Sequence, residues 1–519
     1  GMHVSKKKMI RTVFVIVFCM VPLLSAILFC LKDGRWIGDV YIPLGGWSDE
    51  ITYYKQIEGI LSYGMPRGFF GYNQSRALYG SLGVWGMIPL IPYVVWGGIF
   101  GWNYSSPIFA NIFFCMIAFV VLFKVMHLTG KEMGALSIFW VTNQFINRYV
   151  LSGVVEASVI MQLILVTACG EYLLSEKIRD RTGLSAMQRD QFVLGFCTFM
   201  ICMLTLARPY FAVLFLIPFW KAVQDRRKKW IMVLPVLAVG TIAVFFLYNH
   251  FFCSTYFNNI FSFEKLYSAG ILGAFAKVFD GFMEIARLMW YAMRYKGSGV
   301  GWYYLLLFIE LATMLFVCIR NICQHKKPPR MFTITLIGNV MILLSIIEMY
   351  DLGVGGRHIL ALIVVNAVLL VVEVHFSMGA VLALVCIVSI VQTKGADALP
   401  YQNEDYVAYM DSLEKIFSEV VEVTEEISYE SVVAMPTADR STQYPEQGVS
   451  TYYGLLFAMP PGVGISLDYR DYYDDPNHIK AGYIMVHPAG EIRKILEDMG
   501  MTCVFENEEL ALYKNTMSY

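Results

Sequence analysis

The sequence predicts a polytopic α-helical membrane protein of about eleven transmembrane helices, followed by a small α/β domain of roughly 120 residues. Three observations carry this. Of 519 residues, 57% are hydrophobic and 16% charged, with a mean hydropathy of +0.55; a soluble chain carries nearer a quarter charged residues. Apolar runs of bilayer-crossing length recur from residue 12 to residue 392. The lysines and arginines between those runs cluster in alternate loops, as the cytoplasmic excess of basic residues requires. No basic block interleaved with aromatics is present, which argues against nucleic acid as a partner. The eleven cysteines lie mostly inside apolar runs, as Cys19, Cys115, Cys197 and Cys386 do, and none forms a C-x-x-C pair; they read as small hydrophobes, not as metal or redox groups.

Lys6, Lys7, Lys8 and Arg11 precede the first apolar run, 12–31. Its twenty or so residues suffice to cross a ~30 Å hydrocarbon core, and it ends Leu28-Phe29-Cys30-Leu31 where a cleaved signal would end in small residues, so it is expected to be a retained helix. With the N-terminus cytoplasmic, the first loop (32–103) lies outside, and spans follow at 105–127, 133–148, 154–174, 192–207, 209–222 and 231–249. A second outer loop, 250–300, precedes spans 302–319, 331–349, 359–374 and 378–392. This count puts the basic groups around Lys124 and Lys131, Lys177 to Arg189, Arg226 to Lys229, and Arg320 to Arg330 on one side. Segment 83–100 is apolar enough to span, but doing so would move 177–189 and 226–229 outside; Pro89, Pro92 and several glycines suit it to the outer leaflet. The expected division is a membrane domain, 1–393, and an extracytoplasmic domain, 394–519, in a multi-pass cell-membrane protein. In the latter, 405–423 has helical periodicity, 431–435, 453–458 and 482–486 read as strands, and 491–499 reads as a helix capped by Gly500. A terminal hairpin is expected at 502–505 and 509–513.

The most informative string is Gly45-Gly46-Trp47-Ser48-Asp49-Glu50-Ile51-Thr52-Tyr53-Tyr54. Ser48 can cap a helix running to about Tyr63, with Ile51, Tyr54, Ile57 and Leu61 on one face, which places Asp49 and Glu50 in its first turn at the mouth of the membrane domain. Acids there also complement the helix dipole, the blander explanation. The order of one span, a short linker, Asp-Glu-x-x-Tyr, an amphipathic helix and then 63–73 resembles the first extracytoplasmic loop of the GT-C glycosyltransferases, especially the protein mannosyltransferase and aminoarabinose transferase branch. In chain order, Arg76 and Tyr79 resemble the basic and aromatic residues later in that loop, without its prolines. Glu156 resembles a second acid near the fourth span, and Arg357-His358 an Arg-Tyr pair opening a late span.

The resemblance implies an inverting transfer of a sugar from a polyprenyl-phosphate donor, on the extracytoplasmic face, with Asp49 as general base and Glu50 and Glu156 as further acids. The acceptor, whether glycan, lipid or protein, is not specified. Such a reaction needs a base beside the attacking hydroxyl or amine and cations against the departing phosphate. Arg76, Tyr79, Arg208, Arg294, Arg357 and His358 are the candidates for binding donor and lipid phosphate, with Lys296 beside Arg294. The bland reading of each arginine is an interfacial anchor or a salt bridge. No cofactor is indicated; a divalent cation is allowed but not required, because polyprenyl phosphate is a good leaving group. The rival readings are a lipid-linked saccharide transporter or flippase, an O-antigen-ligase type of enzyme, and a non-catalytic membrane-anchored binding protein. Against them stand the absence of matching halves, the position of the acids in the first loop, and the number of spans.

Overall fold

The computed structural model describes residues 2–42, 48–67, 70–77, 86–183, 187–252, 264–295, 299–353, 356–393, 404–425, 428–437 and 457–517. In chain order, α1 (Met2–Lys32) is followed by α2 (Ser48–Tyr63), β1 (Phe70–Tyr72), α3 (Ile91–Phe100), α4 (Ser106–Met126), α5 (Gly130–Thr142), α6 (Gln144–Val150), α7 (Glu156–Leu174), α8 (Glu176–Thr182) and α9 (Met187–Ala207). A 3-10 turn, Pro209–Phe215, runs into α10 (Leu216–Gln224). Then come α11 (Lys228–Phe252), α12 (Glu264–Arg294), α13 (Val300–Cys323), α14 (Arg330–Met349), α15 (Gly356–Glu373) and α16 (Ser377–Thr393). The C-terminal part holds α17 (Glu404–Val420), β2 (Val432–Pro436), β3 (Gly464–Asp468), β4 (Tyr483–Val486), α18 (Ile492–Asp498), β5 (Thr502–Glu506) and β6 (Ala511–Lys514).

The protein is a multi-pass membrane protein. Among the described residues, eight helices are long and apolar enough to cross a bilayer: α1, α4, α7, α9, α11, α13, α14 and α15. The other three expected spans are shorter or broken. Pro209–Gln224 and Ser377–Thr393 are short apolar helices. The run 133–148 is two helices, because Asn143 turns extended and its side chain accepts from Phe145 N and Ile146 N, starting a new helix. The helix over Ile88–Phe100 rises only about 20 Å, short of the ~30 Å core. Most of the described part of the expected outer loop 250–300 is helical: α12 kinks at Gly270, whose φ of 66° few other residues tolerate, and continues to Arg294.

Burial sorts the helices. The apolar stretch of α11 is only 17% buried, with Val236, Val239 and Leu247 turned outward to lipid, whereas α7 and α15 are 89% and 94% buried. These two form the centre of the bundle, and their N-termini begin at Glu156 and Gly356.

The sheet has the order β1-β3-β2-β4-β6-β5. β1, β3, β2 and β4 run parallel; β6 is antiparallel to both β4 and β5. Its edge strand β1 comes from the first loop: Phe70, Gly71 and Tyr72 pair with Ile465, Ser466 and Leu467. The loop carrying Asp49 and the C-terminal domain therefore share one sheet.

Candidate active site

Three helix N-termini converge on one place. Asp49 stands in the first turn of α2, Glu156 opens α7, and Arg357 is in the first turn of α15. The fourth member arrives by a different local rule. Pro209 disfavours helical geometry in the residue before it, so α9 stops at Ala207 and Arg208 turns extended (φ −146°, ψ 109°). Its side chain then reaches Glu156.

The four charges form an alternating chain. Asp49 Oδ2 lies 2.6 Å from Arg357 Nη1, Arg357 Nε lies 3.8 Å from Glu156 Oε1, and Arg208 Nη2 donates to both Glu156 oxygens at 3.0 and 2.9 Å. The burial is graded. Arg208 and Glu156 are 1% and 2% exposed, while the Asp49 side chain keeps 35% of its surface. The chain is thus anchored in protein at one end and open at the other. Two carboxylates and two guanidiniums sum to zero, and the positive ends of three helices add a field that favours a further anion.

Aromatic groups frame the pairs. Tyr53, one turn after Asp49 on the same face of α2, is buried; desolvation pushes its hydroxyl up and the Asp49 charge adds to this, so it stays a neutral donor. The Tyr210 hydroxyl and His358 Nδ1 are 3.1 Å apart, and the Tyr350 ring stacks on His358 at 4.5 Å between centroids. Tyr53 is the tyrosine of the Asp-Glu-x-x-Tyr string, whereas Tyr210 and Tyr350 went unremarked in the sequence, where tyrosines are plentiful and at helical spacing read as core or interface residues.

The remaining expected residues sit elsewhere. Glu50 faces away from Asp49: its Oε1 accepts from Gly153 N at 2.7 Å, docking α2 on the turn that leads into Glu156. Burial pushes its carboxyl up from 4.5 to about 8, against the pull of the Gly153 N–H. The packing at Gly153 is close: an added Cβ would stand 3.1 Å from Glu50 Cβ, so that Glu50 would have to give way by a few tenths of an ångström. Arg76 is exposed near the end of β1, where the preceding Gln74 N and Ser75 hydroxyl are bonded to Ser466 and Arg470. Arg294 is exposed at the end of α12, 5.5 Å from the Tyr295 ring centre. Tyr79 and Lys296 lie outside the described residues.

The far end of α2 is held by the C-terminal domain. Lys55, 2% exposed, donates to the carbonyls of Met459 and Phe457 and pairs with Glu58. The Tyr54 ring meets Phe457 edge-on at 5.2 Å and stacks on Trp102 at 5.4 Å.

Neither a protein-family model nor a curated protein matches the sequence. Among solved structures, the oligosaccharyltransferase of Archaeoglobus fulgidus in complex with Zn and sulfate superposes with a TM-score of 0.52, over 91% of this chain and 67% of its own, at 10% identity. Its apo form gives 0.51, over 92% and 69%, also at 10% identity. The chain has a GT-C-like fold. ArnT from Cupriavidus metallidurans in the apo state covers 97% of this chain and 98% of its own, at 11% identity and a TM-score of 0.48. At such identities the likeness is one of fold alone.

The Zn in that neighbour prompts a test of the residues here. Among the described residues, no three His, Cys, Asp or Glu side chains converge on one point. The two acids of the cluster are each already engaged by a guanidinium. With both acids paired to guanidiniums, the site as it stands is a charge-balanced set and not a ready-made cation site.

Proposed function

We propose that the protein is a glycosyltransferase that moves a sugar from a polyprenyl-phosphate donor to an acceptor on the extracytoplasmic face, with inversion and with Asp49 as general base. The single observation that carries this is the chain Asp49–Arg357–Glu156–Arg208, set at three helix N-termini and half open at Asp49. An apolar groove of about 620 Å³ begins at Tyr210, beside His358, and runs between α10, α11 and α14 past Val213, Leu234, Ile337 and Met341. It suits an isoprenoid tail lying against the bundle while the phosphate reaches the arginines. A. fulgidus oligosaccharyltransferase and C. metallidurans ArnT have been solved with dolichol phosphate and undecaprenyl phosphate respectively.

In the resting arrangement Asp49 is engaged by Arg357 at 2.6 Å, so that the oxygen facing Arg357 is not open to an acceptor. The donor phosphate takes over the Arg357 guanidinium and frees the Asp49 carboxylate. The acceptor oxygen or nitrogen then forms a bond to the anomeric carbon from the face opposite the phosphate, and its proton passes to Asp49. The bond from that carbon to the phosphate oxygen breaks, and the phosphate leaves with the electron pair, its charge met by Arg357 and Arg208. Glu156 keeps both guanidiniums in place, and Glu50 fixes the start of α2. Arg76 and Arg294, the other expected donor- and phosphate-binding arginines, stand outside this cluster.

The pairing of β1 with β3 supports the topology. Strand partners lie on one side of a membrane, so an even number of spans must separate residue 72 from residue 432. The ten expected spans after the first satisfy this, and 83–100 as an eleventh crossing does not. The excess of Lys and Arg in the opposite loops favours that shared side being outside the cytoplasm.

Incubating the reconstituted protein with a panel of polyprenyl-phosphate sugars tests the reading. Release of free carrier phosphate, dependent on acceptor, is expected; failure to bind or turn over any donor in the panel contradicts it.

A further inference from the structure

The two central helices do not end in featureless loops. α7 and α15 run from Glu156 and Arg357 to a pocket of about 360 Å³ at the opposite end of the bundle, about 28 Å along α7. Glu171, Glu373, Lys177, Lys326, Lys327 and Arg330 line it. None of them takes part in the chemistry above.

The floor of the pocket is acidic and incompletely satisfied. Glu171 is fully buried, and neither of its carboxyl oxygens meets a donor. Glu373 is within hydrogen-bonding reach, and Ser175, within reach of both, gives its only hydroxyl proton to Glu373 Oε1 at 2.6 Å. Two carboxyls side by side, Glu171 fully buried and Glu373 half-buried at the pocket wall, favour a proton or a cation between them. The nearby cations do not serve: Lys177 Nζ donates to Val372 O at 2.6 Å, and Arg330 reaches Leu174 O at 3.4 Å and the exposed Glu176 at 3.9 Å.

The rim is basic and open. Lys326 and Lys327 are exposed, and their ammonium groups form no ion pair among the described residues. A bare anion in this pocket would face the acids, and a bare cation would face four basic side chains. A ligand carrying both charges a few bonds apart satisfies each end.

We propose that this pocket binds a zwitterionic amino-phosphate headgroup, its primary ammonium between Glu171 and Glu373 and its phosphate against Lys326, Lys327 and Arg330. Phosphoethanolamine has about eight non-hydrogen atoms, which fit at no more than about 30 Å³ each. The pocket lies at helix ends flanked by lysine and arginine, the depth at which lipid headgroups stand. The phospholipid is therefore the expected source. This assignment does not depend on the proposed transferase activity.

The test uses the full chain in nanodiscs of equimolar phosphatidylethanolamine, phosphatidylcholine and phosphatidylglycerol, followed by native mass spectrometry of the lipid retained on transfer to detergent. Phosphatidylethanolamine should be retained over phosphatidylcholine by about tenfold, because a trimethylammonium cannot donate hydrogen bonds to the acids. Glu171→Gln with Glu373→Gln should bring that ratio near one. Lys326→Ala with Lys327→Ala, at exposed positions where folding is not at stake, should weaken phospholipid retention as a whole. Equal retention of the two lipids, a preference for phosphatidylglycerol, or retention unchanged in the lysine variant would each overturn the proposal. Soluble O-phosphoethanolamine distinguishes the sources. Failure to compete is the result expected for a lipid site; competition at concentrations equal to the lipid's would overturn the lipid assignment in favour of a free zwitterion.

Discussion

Glu50 offers a perturbation whose size follows from its surroundings. It is fully buried, accepts one hydrogen bond from Gly153 N, and leaves Oε2 without a donor, the arrangement of a carboxyl that keeps its proton. Its proton is held to about 8 instead of the ordinary 4.5. Below pH 4.5 the group is neutral whether the chain is folded or unfolded, and it costs nothing. Between 4.5 and 8 only the unfolded chain ionises, so the folded state loses ground as pH rises. The cost reaches about 3 kcal/mol at pH 7 and about 5 kcal/mol above pH 8. Glu50→Gln keeps the shape and the acceptor but removes the titration. Melting followed by differential scanning fluorimetry in detergent, from pH 5 to pH 9, reads the difference. At roughly 1–2 °C per kcal/mol for a chain this long, the variant should match wild type near pH 5 and melt about 5 °C higher at pH 8. Parallel melting curves across that range would refute the reasoning, for they would mean that Glu50 is ionised throughout.

Breaking the buried pair at its other end acts through a different term. Arg208→Gln leaves Glu156 buried beside a single, more distant guanidinium, and should cost about 3–5 kcal/mol, read as a lower melting temperature together with lost donor binding. Replacing both members, Arg208→Gln with Glu156→Gln, should recover much of the stability and none of the binding. Lys55→Met removes the donor to the Met459 and Phe457 carbonyls, a loss of about 1–3 kcal/mol. Hydrogen exchange should then rise in β1 and β3 and leave α7 and α15 protected; unchanged exchange in β1 would show that Lys55 does not hold α2 to the sheet.

Much of this architecture is legible in the sequence because membrane physics leaves few alternatives. Bilayer-length apolar runs mark the eight long spans, and β-branched and aromatic runs bounded by turn residues mark β2, β4 and the β5–β6 hairpin. What stays hidden depends on contacts. Asn143 is one polar residue in an apolar run, and only its bonds to Phe145 N and Ile146 N make it a helix break. β1 is three residues long, too short for an alternating pattern, and exists because Ile465 to Leu467 offer it an edge. Asp49, Glu156, Arg208 and Arg357 stand out singly as charges near span ends, but their order of pairing comes from the fold. In α12, Phe275, Phe279, Phe282 and Met283 recur at helical spacing on an exposed face, a periodicity obscured by the neighbouring charges Lys277, Asp280 and Glu284.

The proposed reaction turns on Asp49 as the base of a glycosyl transfer from a polyprenyl phosphate. Its most direct test compares wild type with Asp49→Asn for release of carrier phosphate, both proteins showing the same melting behaviour and the same donor binding. The variant should bind donor yet turn over at least about a hundredfold more slowly, the usual worth of a positioned base. Turnover equal to wild type would contradict it and return Asp49 to the role of a salt-bridge partner for Arg357.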